Sequence, residues 1–520
     1  MKIVTRFLIV CCLFLLVSYP ANAQSPFFSK VIFDPNGDVQ AYCVEKTMDH
    51  SLIIAGEKDN LAFASKIDTS GSVLWSKTFG SNDGTFWCLT ATRDSCFVLA
   101  GFADNPGDTA SDLLCVKINS AGDTLWTRVI DMGYHEEAIS IRQTLDNGYI
   151  LTGDASSGKG VVLKLNASGN LSWGKLFSIH TYENVGCGAE QTPDTGYIVT
   201  GYTENNANSE PMMYLMKLTS TGTVSWTKQK NDTSYINSVG YDVHVVQGGI
   251  MTLFYASNGG WTLMKTDLSG NVLWGKFYVA NFYTQEGHPN FRLHETSDAG
   301  YVFVTGNPFL GSMMKVDSTG NLLFSKSLVL NATDIVESYT GVFSMVGNGP
   351  LFGEKKKQPF VLQVGVIKSD TSGSGSACIQ EGDVTSAAYS ASFSNVACTL
   401  QSAGTVRHLT GPVTNLTMTV ADGCVDRTGG INELKPSISI NVFPLPNNGQ
   451  FNVIITTATK ETFSISVYNT LAVKIYEESN VEVPGLLQKI IDLRPLPNGV
   501  YTLIFKNSQN QVVKKIVVDK

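Results

Sequence analysis

The chain has 520 residues, 43% hydrophobic and 16% charged, which is enough to bury a large core and excludes a disordered polymer. Its formal charge of -8 is spread without blocks of like charge, so no clustered Lys and Arg offers a footprint for nucleic acid. Glycine, at 48, outnumbers the 37 Lys and Arg, which points to a chain rich in turns.

The chain opens with an export signal. Lys2 and Arg6 make a basic start, and Phe7 to Ser18 is an apolar run too short to span a bilayer. Ala21-Asn22-Ala23 then supplies the small residues a signal peptidase needs, so residues 1–23 are expected to be removed by cleavage after Ala23. A lipid anchor would use Cys11 or Cys12, and both lie inside the apolar run.

From there a unit of about fifty residues repeats. Its aromatic recurs at Phe28, Trp75, Trp126, Trp173, Trp226, Trp274 and Phe324. That period suits four short strands with turns, the unit of a propeller blade. A first strand runs into a turn, as in Ala138 to Gly148, and a second begins at Tyr149 or Tyr197. A third ends at Lys66, Lys117, Lys164, Lys217, Lys265, Lys315 or Lys368, and a turn such as Asp68-Thr69-Ser70-Gly71 leads to the aromatic strand. There the Asp side chain can bond the backbone two residues on, and glycine takes the left-handed conformation that closes the hairpin. The aromatics are expected as wedges between sheets. A cation follows each at a spacing of two, from Lys30 and Lys77 to Lys326, and these and the third-strand lysines are expected to blunt an exposed sheet edge.

The first copy, FFSKVIF, has no third strand before it, and the last third strand, ending at Lys368, has no aromatic strand after it. Pairing the two predicts an all-β, seven-bladed β-propeller over residues 24–370, closed by the N-terminal strand. The Asp-x-x-Gly-x-x-x-Trp hairpin resembles the tryptophan-docking repeat of quinoprotein-type propellers, and the fuller pattern resembles repeats common in proteins exported by Bacteroidetes. The resemblance implies a fold and not an activity.

Residues 371–436 read as a Ser/Thr/Gly-rich connector, and a new pattern runs from Ser437 to the end. The segments VFPLPNNGQF, SISVYNTLAVKIY, LRPLPNGVYTLIF and VVKKIVVDK are similar to the type A C-terminal sorting domain of the type IX secretion system, a small Ig-like β-sandwich. Leu445 stands where that family usually has Asn, and Leu471-Ala472 replaces a turn that usually carries Gly. The resemblance implies the secretion machinery as a partner and an extracellular or outer-membrane-surface location. It implies a sorting role for Pro444, Pro446, Asn447, Gly449, Gly499, Tyr501, Lys514 and Lys515.

Eight cysteines follow the signal. Cys43, Cys88, Cys96, Cys115 and Cys187 fall in strand-like runs and are expected as buried thiols. Cys378, Cys398 and Cys424 sit in the connector of an exported chain, where a disulfide between two of them is expected, its pairing open. No CxxC or HExxH is present, so neither metal nor cofactor is expected. The P-loop-like run Gly153 to Gly160 lacks the Ser or Thr after Lys159 and precedes a strand, which rules against phosphate binding. A sialidase needs several arginines around one carboxylate, and Arg93, Arg128, Arg142 and Arg292 fall at different points of the repeat.

The loops between fourth and first strands remain. They bring Trp87, Tyr134, His135, Glu137, His180, Tyr182, Glu183, Tyr235, Tyr283, Glu286 and His288 toward one rim, a set suited to a sugar or peptide. The expected function is a secreted or cell-surface, non-catalytic propeller that binds a glycan or protein. A glycan hydrolase or lyase at the channel mouth, and a structural or adhesion component, are the alternatives.

Overall fold

A computed structural model describes residues 28–34, 37–80, 82–104, 110–206, 210–230, 237–256, 260–279, 291–306, 311–328, 331–348, 364–369, 372–373, 379–381, 385–388, 393–407, 413–422, 438–443, 449–457, 460–469, 474–484, 486–507 and 511–518. The export signal with Ala23, the rim residues Tyr235, Tyr283, Glu286 and His288, the tail residues Pro444, Pro446 and Asn447, and Cys378 and Cys424 lie outside the described residues.

The chain divides into two compact units, 1–426 and 427–520. Both are built of antiparallel sheets, with no α-helix among the described residues. The first unit holds seven five-stranded sheets. Sheets one to six each take four consecutive strands, from 39–79, 84–131, 136–178, 183–230, 238–279 and 293–328. The seventh takes Asn331–Tyr339, Val342–Asn348 and Val364–Lys368, and its fourth strand is Phe28–Phe33, with Phe28 opposite Lys368 and Ile32 opposite Val364.

Among the described residues an apolar core fills each of the seven junctions between successive sheets. Cys88, Leu113 and Cys115 of the second sheet pack with Ile141, Tyr149 and Leu163 of the third. Ile32, Val346 and Val366 of the seventh pack with Val39, Ile54 and Phe63 of the first. The aromatics pack against these inter-sheet cores, as wedges would, and they also dock. Each is half-buried and lies over the turn glycine of the next sheet, where φ is positive and no side chain intrudes. A Cβ built on Gly122 would sit 3.0 Å from the Trp75 ring, and one on Gly222 2.9 Å from Trp173. Phe324 meets Gly373 in the same way, and Phe28 of the seventh sheet meets Gly71 of the first.

The lysines do not blunt an edge. Lys66, Lys117, Lys164, Lys217 and Lys315 are nearly buried and pair with Asp49, Asp94, Asp146, Asp194 and Asp298 in the first turn of their own sheet. The cations after the aromatics mostly reach the next sheet: Lys77 Nζ donates to Gly122 O at 2.9 Å and Lys228 Nζ to Asn271 Oδ1 at 2.9 Å.

The fourth strands are not edges either, because the connector covers them. Its strands Ile379–Glu381, Thr385–Ala388, Phe393–Asn395, Thr399–Ser402, Thr405–Arg407 and Val413–Asn415 pair with sheets six, five, four, three, two and one in turn, and Thr419–Asp422 pairs with Phe28–Phe33 of the seventh. One segment thus adds the fifth strand to all seven sheets. Backbone hydrogen bonds do most of this work, so a sequence of small polar residues suffices. A few side chains anchor it: Phe393, Leu400, Ala403 and Leu416 pack on the inter-sheet cores. Cys398 is a free, half-buried thiol 3.7 Å or less from Met216 and its own neighbour's carbonyl, which corrects any disulfide through it. Cys43, Cys88, Cys115 and Cys187 are buried and free, whereas Cys96 is partly exposed.

The second unit has a three-stranded sheet (Ile438–Phe443, Gln450–Thr457, Leu486–Asp492) and a four-stranded sheet (Lys474–Val483, Glu461–Tyr468, Gly499–Lys506, Gln511–Val518). Alternate residues of both, including Phe451, Val453, Phe463, Ile465, Leu503 and Phe505, share one core. Tyr501 OH donates to Pro497 O at 2.7 Å, pinning the chain where it enters its strand. Gly449 holds φ 94°, and a Cβ there would meet Arg494 Cα at 2.9 Å.

Candidate functional site

The first strands of six sheets carry a β-bulge at the same point, around Tyr42, Trp87, Ile139, Cys187, Tyr241 and Thr333. A bulge leaves one residue unpaired and re-aims those that follow. Past it, the strands present polar side chains to a shared cavity of about 550 Å³.

Arg142 stands at the cavity's most connected point. Its Nη2 donates to both oxygens of Asp242 at 2.8 and 3.0 Å, and its Nη1 to Glu190 Oε2 at 3.2 Å. The two ring nitrogens of His244 lie 2.8 and 3.0 Å from the guanidinium. Asp242 also accepts from the amides of Val243 and Leu293. Burial opposes its charge, but Arg142 and then His244 outweigh burial and hold the carboxyl far below the usual range.

Arg292 leaves the sixth sheet and donates to Ile139 O at 2.7 Å and Ser140 Oγ at 3.2 Å in the third. His294 Nε2 meets Asp334 Oδ1 of the seventh sheet at 3.1 Å, and Asp334 Oδ2 accepts from Val44 N of the first at 2.9 Å. Burial pushes the His294 imidazole down, but its hydrogen bond to Asp334, then the charges of Asp334, Glu45 and Asp242, raise it overall. Glu45 on the same wall is raised by burial.

This cavity was not among the sequence's candidate residues. Arg93, Arg142 and Arg292, which fall at different points of the repeat, all line it. Each already serves a protein group: Arg93 donates to Thr144 O at 2.8 Å, Arg142 to Asp242, and Arg292 to Ile139 O. The trio is therefore built as a scaffold of the cavity and not as a set of claws for one carboxylate.

The rim residues divide. Trp87 Nε1 donates to Glu137 Oε2 at 2.8 Å, and its ring packs 4.5 Å from Tyr42. Glu183 accepts from Tyr202 OH at 3.1 Å, and Tyr42 reaches Glu57, which also accepts from Thr85 at 2.6 Å. Asp154 joins this group: burial, then Glu137 and Glu183, push its carboxyl up to about 7. Trp87, Glu137 and Glu183 thus meet in a carboxylate–aromatic cluster with Tyr42, Glu57, Asp154 and Tyr202, four residues that loop-by-loop reading omits because they lie inside strands. The others have separate partners: Lys159 Nζ sits 5.1 Å over the Tyr134 ring, Ser111 N donates to His135 Nδ1 at 3.0 Å, and His180 Nε2 meets Gln229 Oε1 at 3.1 Å. Tyr182 is exposed. Glu137 stands second in the strand Glu136–Gln143 and Arg142 next to last, so the cluster and the cavity are about 17 Å apart along one strand.

No curated protein matches the chain. A solved structure of PorZ, described as an essential bacterial surface component of the type-IX secretion system of human oral-microbiomic Porphyromonas gingivalis, aligns with 9% identity, 92% of this chain, 81% of that chain and a TM-score of 0.23. A likeness of that size carries no argument. Residues 441–519 match the secretion system C-terminal sorting domain family. That tail, two sheets around the Phe451–Phe505 core, indicates that the chain is exported out of the cell by type IX secretion.

Proposed function

We propose that the chain is a seven-bladed β-propeller, delivered to the cell surface or medium by its sorting domain, that binds a glycan or protein ligand through polar groups of its central cavity. The succession of seven inter-sheet cores, with Phe28 docked on Gly71, supports the propeller reading. The observation that carries the binding reading is the cavity of about 550 Å³ whose walls hold Glu45, Arg142, Glu190, Asp242, His244 and His294. That volume falls in the range of small-ligand sites, and convergent charged and imidazole groups suit hydroxyl-rich or peptide ligands. The rim cluster around Trp87 and Glu137 is a second, shallower contact for the same ligand class.

Glycan hydrolysis or lyase chemistry is the alternative, and one feature favours it. In one cavity, burial pushes the Glu45 carboxyl up while Arg142 holds that of Asp242 down, the split that separates an acid from a base.

A glycan and peptide binding screen of the mature chain, repeated with Glu190→Gln and His244→Ala, tests the proposal. Binding that weakens at least about tenfold in both variants supports it. Binding indifferent to both overturns the cavity site, and new reducing ends or unsaturated products select the enzyme. Truncation before Ser437 is expected to strand the chain in the periplasm; normal appearance outside the cell would refute the sorting role.

A further inference from the structure

We propose that Asp112, Asp131 and Glu136 form a calcium site at the junction of the second and third sheets, beside the connector strand Thr405–Arg407. Asp112 lies near the start of the strand Ser111–Ile118, Asp131 ends its neighbour Thr124–Asp131, and Glu136 opens the third sheet. Each carboxylate offers one oxygen, and the three oxygens lie within 4.8 Å of one another. Calcium bonds oxygen at about 2.3–2.6 Å, so three oxygens this close can all reach one ion.

A second observation points to a ligand. Glu136 is fully buried. Its Oε1 accepts from Tyr134 N at 2.6 Å, while its Oε2 is sealed from solvent and accepts no hydrogen bond. An interior carboxylate oxygen without a donor is unfavourable, and a bound cation removes the penalty. Charge agrees. Arg407 pairs with Asp112 and lies 3.8 Å from Asp131, so one guanidinium serves a cluster of three carboxylates and, with all three ionised around an ion, two negative charges remain. A divalent cation balances them. An all-oxygen donor set selects calcium or magnesium over zinc, and a cage of three protein carboxylates suits calcium over magnesium, which dehydrates reluctantly and usually keeps several waters. The ion would tie the second sheet to the third next to Arg407, which links the connector to Asp112.

Thermal unfolding and calorimetric titration of the full mature chain, stripped with EDTA and then given CaCl2 or MgCl2 over about 0.1–10 mM, test the site. Calcium is expected to raise the Tm by several degrees with one equivalent bound, and magnesium to do much less. Glu136→Gln and Asp131→Asn should each lose the calcium shift. Arg407→Ala should keep or tighten it, because a competing cation is gone. Asp131 is only half-buried, so its variant remains informative where Glu136→Gln does not fold. No calcium response in the parent chain, an equal response to magnesium, or a shift that survives in the carboxylate variants overturns the proposal.

Discussion

The inner and outer strands of the seven sheets obey different rules. Outward, the same residues recur because each does the same work: a third-strand lysine ties down its own first turn, and an aromatic rides on the next sheet's glycine. Where the repeat lapses, a substitute appears. The fifth sheet has Gln247-Gly248 in place of the aspartate turn, and Lys265 Nζ donates to Gln247 O at 2.8 Å instead. The seventh has Tyr339, and Lys368 sits 4.6 Å over its ring. Inward, the strands share a bulge but not their polar residues. Glu45, Arg142, Glu190 and His244 differ from sheet to sheet and are matched to one another across the cavity. Repetition marks the load passed between neighbours. Variation marks the place where many strands meet at once, which is where a ligand can be told from another.

The sharpest way to break this contrast is a docking glycine. At Gly222, φ is 76° and a Cβ would sit 2.9 Å from Trp173. Gly222→Val combines left-handed strain with a displaced indole and is expected to cost about 3 kcal/mol or more, read as a lowered urea midpoint. Glu190→Gln, facing the cavity, is expected to cost under about 1 kcal/mol. A docking variant as stable as the cavity variant would remove the distinction.

Next in size is the acid limb. The Asp194 carboxyl is lowered to about 2, first by Thr192 and then Lys217. At Asp146 and Asp298 burial opposes, but a threonine and a lysine again lower the carboxyl to about 2. The free value lies near 3.9. Folded values below unfolded ones give stability that is present above about pH 4 and lost as pH falls toward 2. These aspartates are more than half exposed, so screening trims the Coulomb part. Asp146→Ala is expected to cost about 1–2 kcal/mol at neutral pH, because a nearly buried ammonium loses a partner, and the gap from the parent should close by pH 2.

The sequence carries this outer architecture openly. Period, turn glycines, lysines and the missing strand of the last copy all follow from residues that must repeat to fit identical neighbours. Two things escaped. The connector's strands are three or four residues long with only one or two apolar side chains each, too few for a hydrophobic period to betray them; their pairing depends on backbone edges that exist only once the sheets are built. The cavity escaped because its partners are remote: Arg142 and Asp242 are separated by 100 residues and His294 and Asp334 by 40. The signal available was charge inside a strand, as in AISIRQ and FRLHE, where an arginine or histidine interrupts an otherwise buried run.

The smallest expected effect lies on the alkaline side and belongs to the cavity alone. His294 is raised above its ordinary value even though burial opposes its charge, because Asp334, Glu45 and Asp242 face it, with Arg142 and Arg292 lining the same space. A folded value above the unfolded one, near 6.5, gives stability that is fully present below pH 6.5 and is lost as pH rises through the folded value. The outer turns therefore weaken in acid, whereas the inner network, which shares that acid limb through the depressed Asp242, also weakens in base through His294. His294→Gln keeps a hydrogen-bond donor for Asp334 but cannot titrate, so it should flatten the decline above pH 6.5 by less than about 1 kcal/mol while leaving the acid limb unchanged. An alkaline slope identical in parent and variant would move that titration out of the cavity, and with it the claim that only the inner network weakens in base.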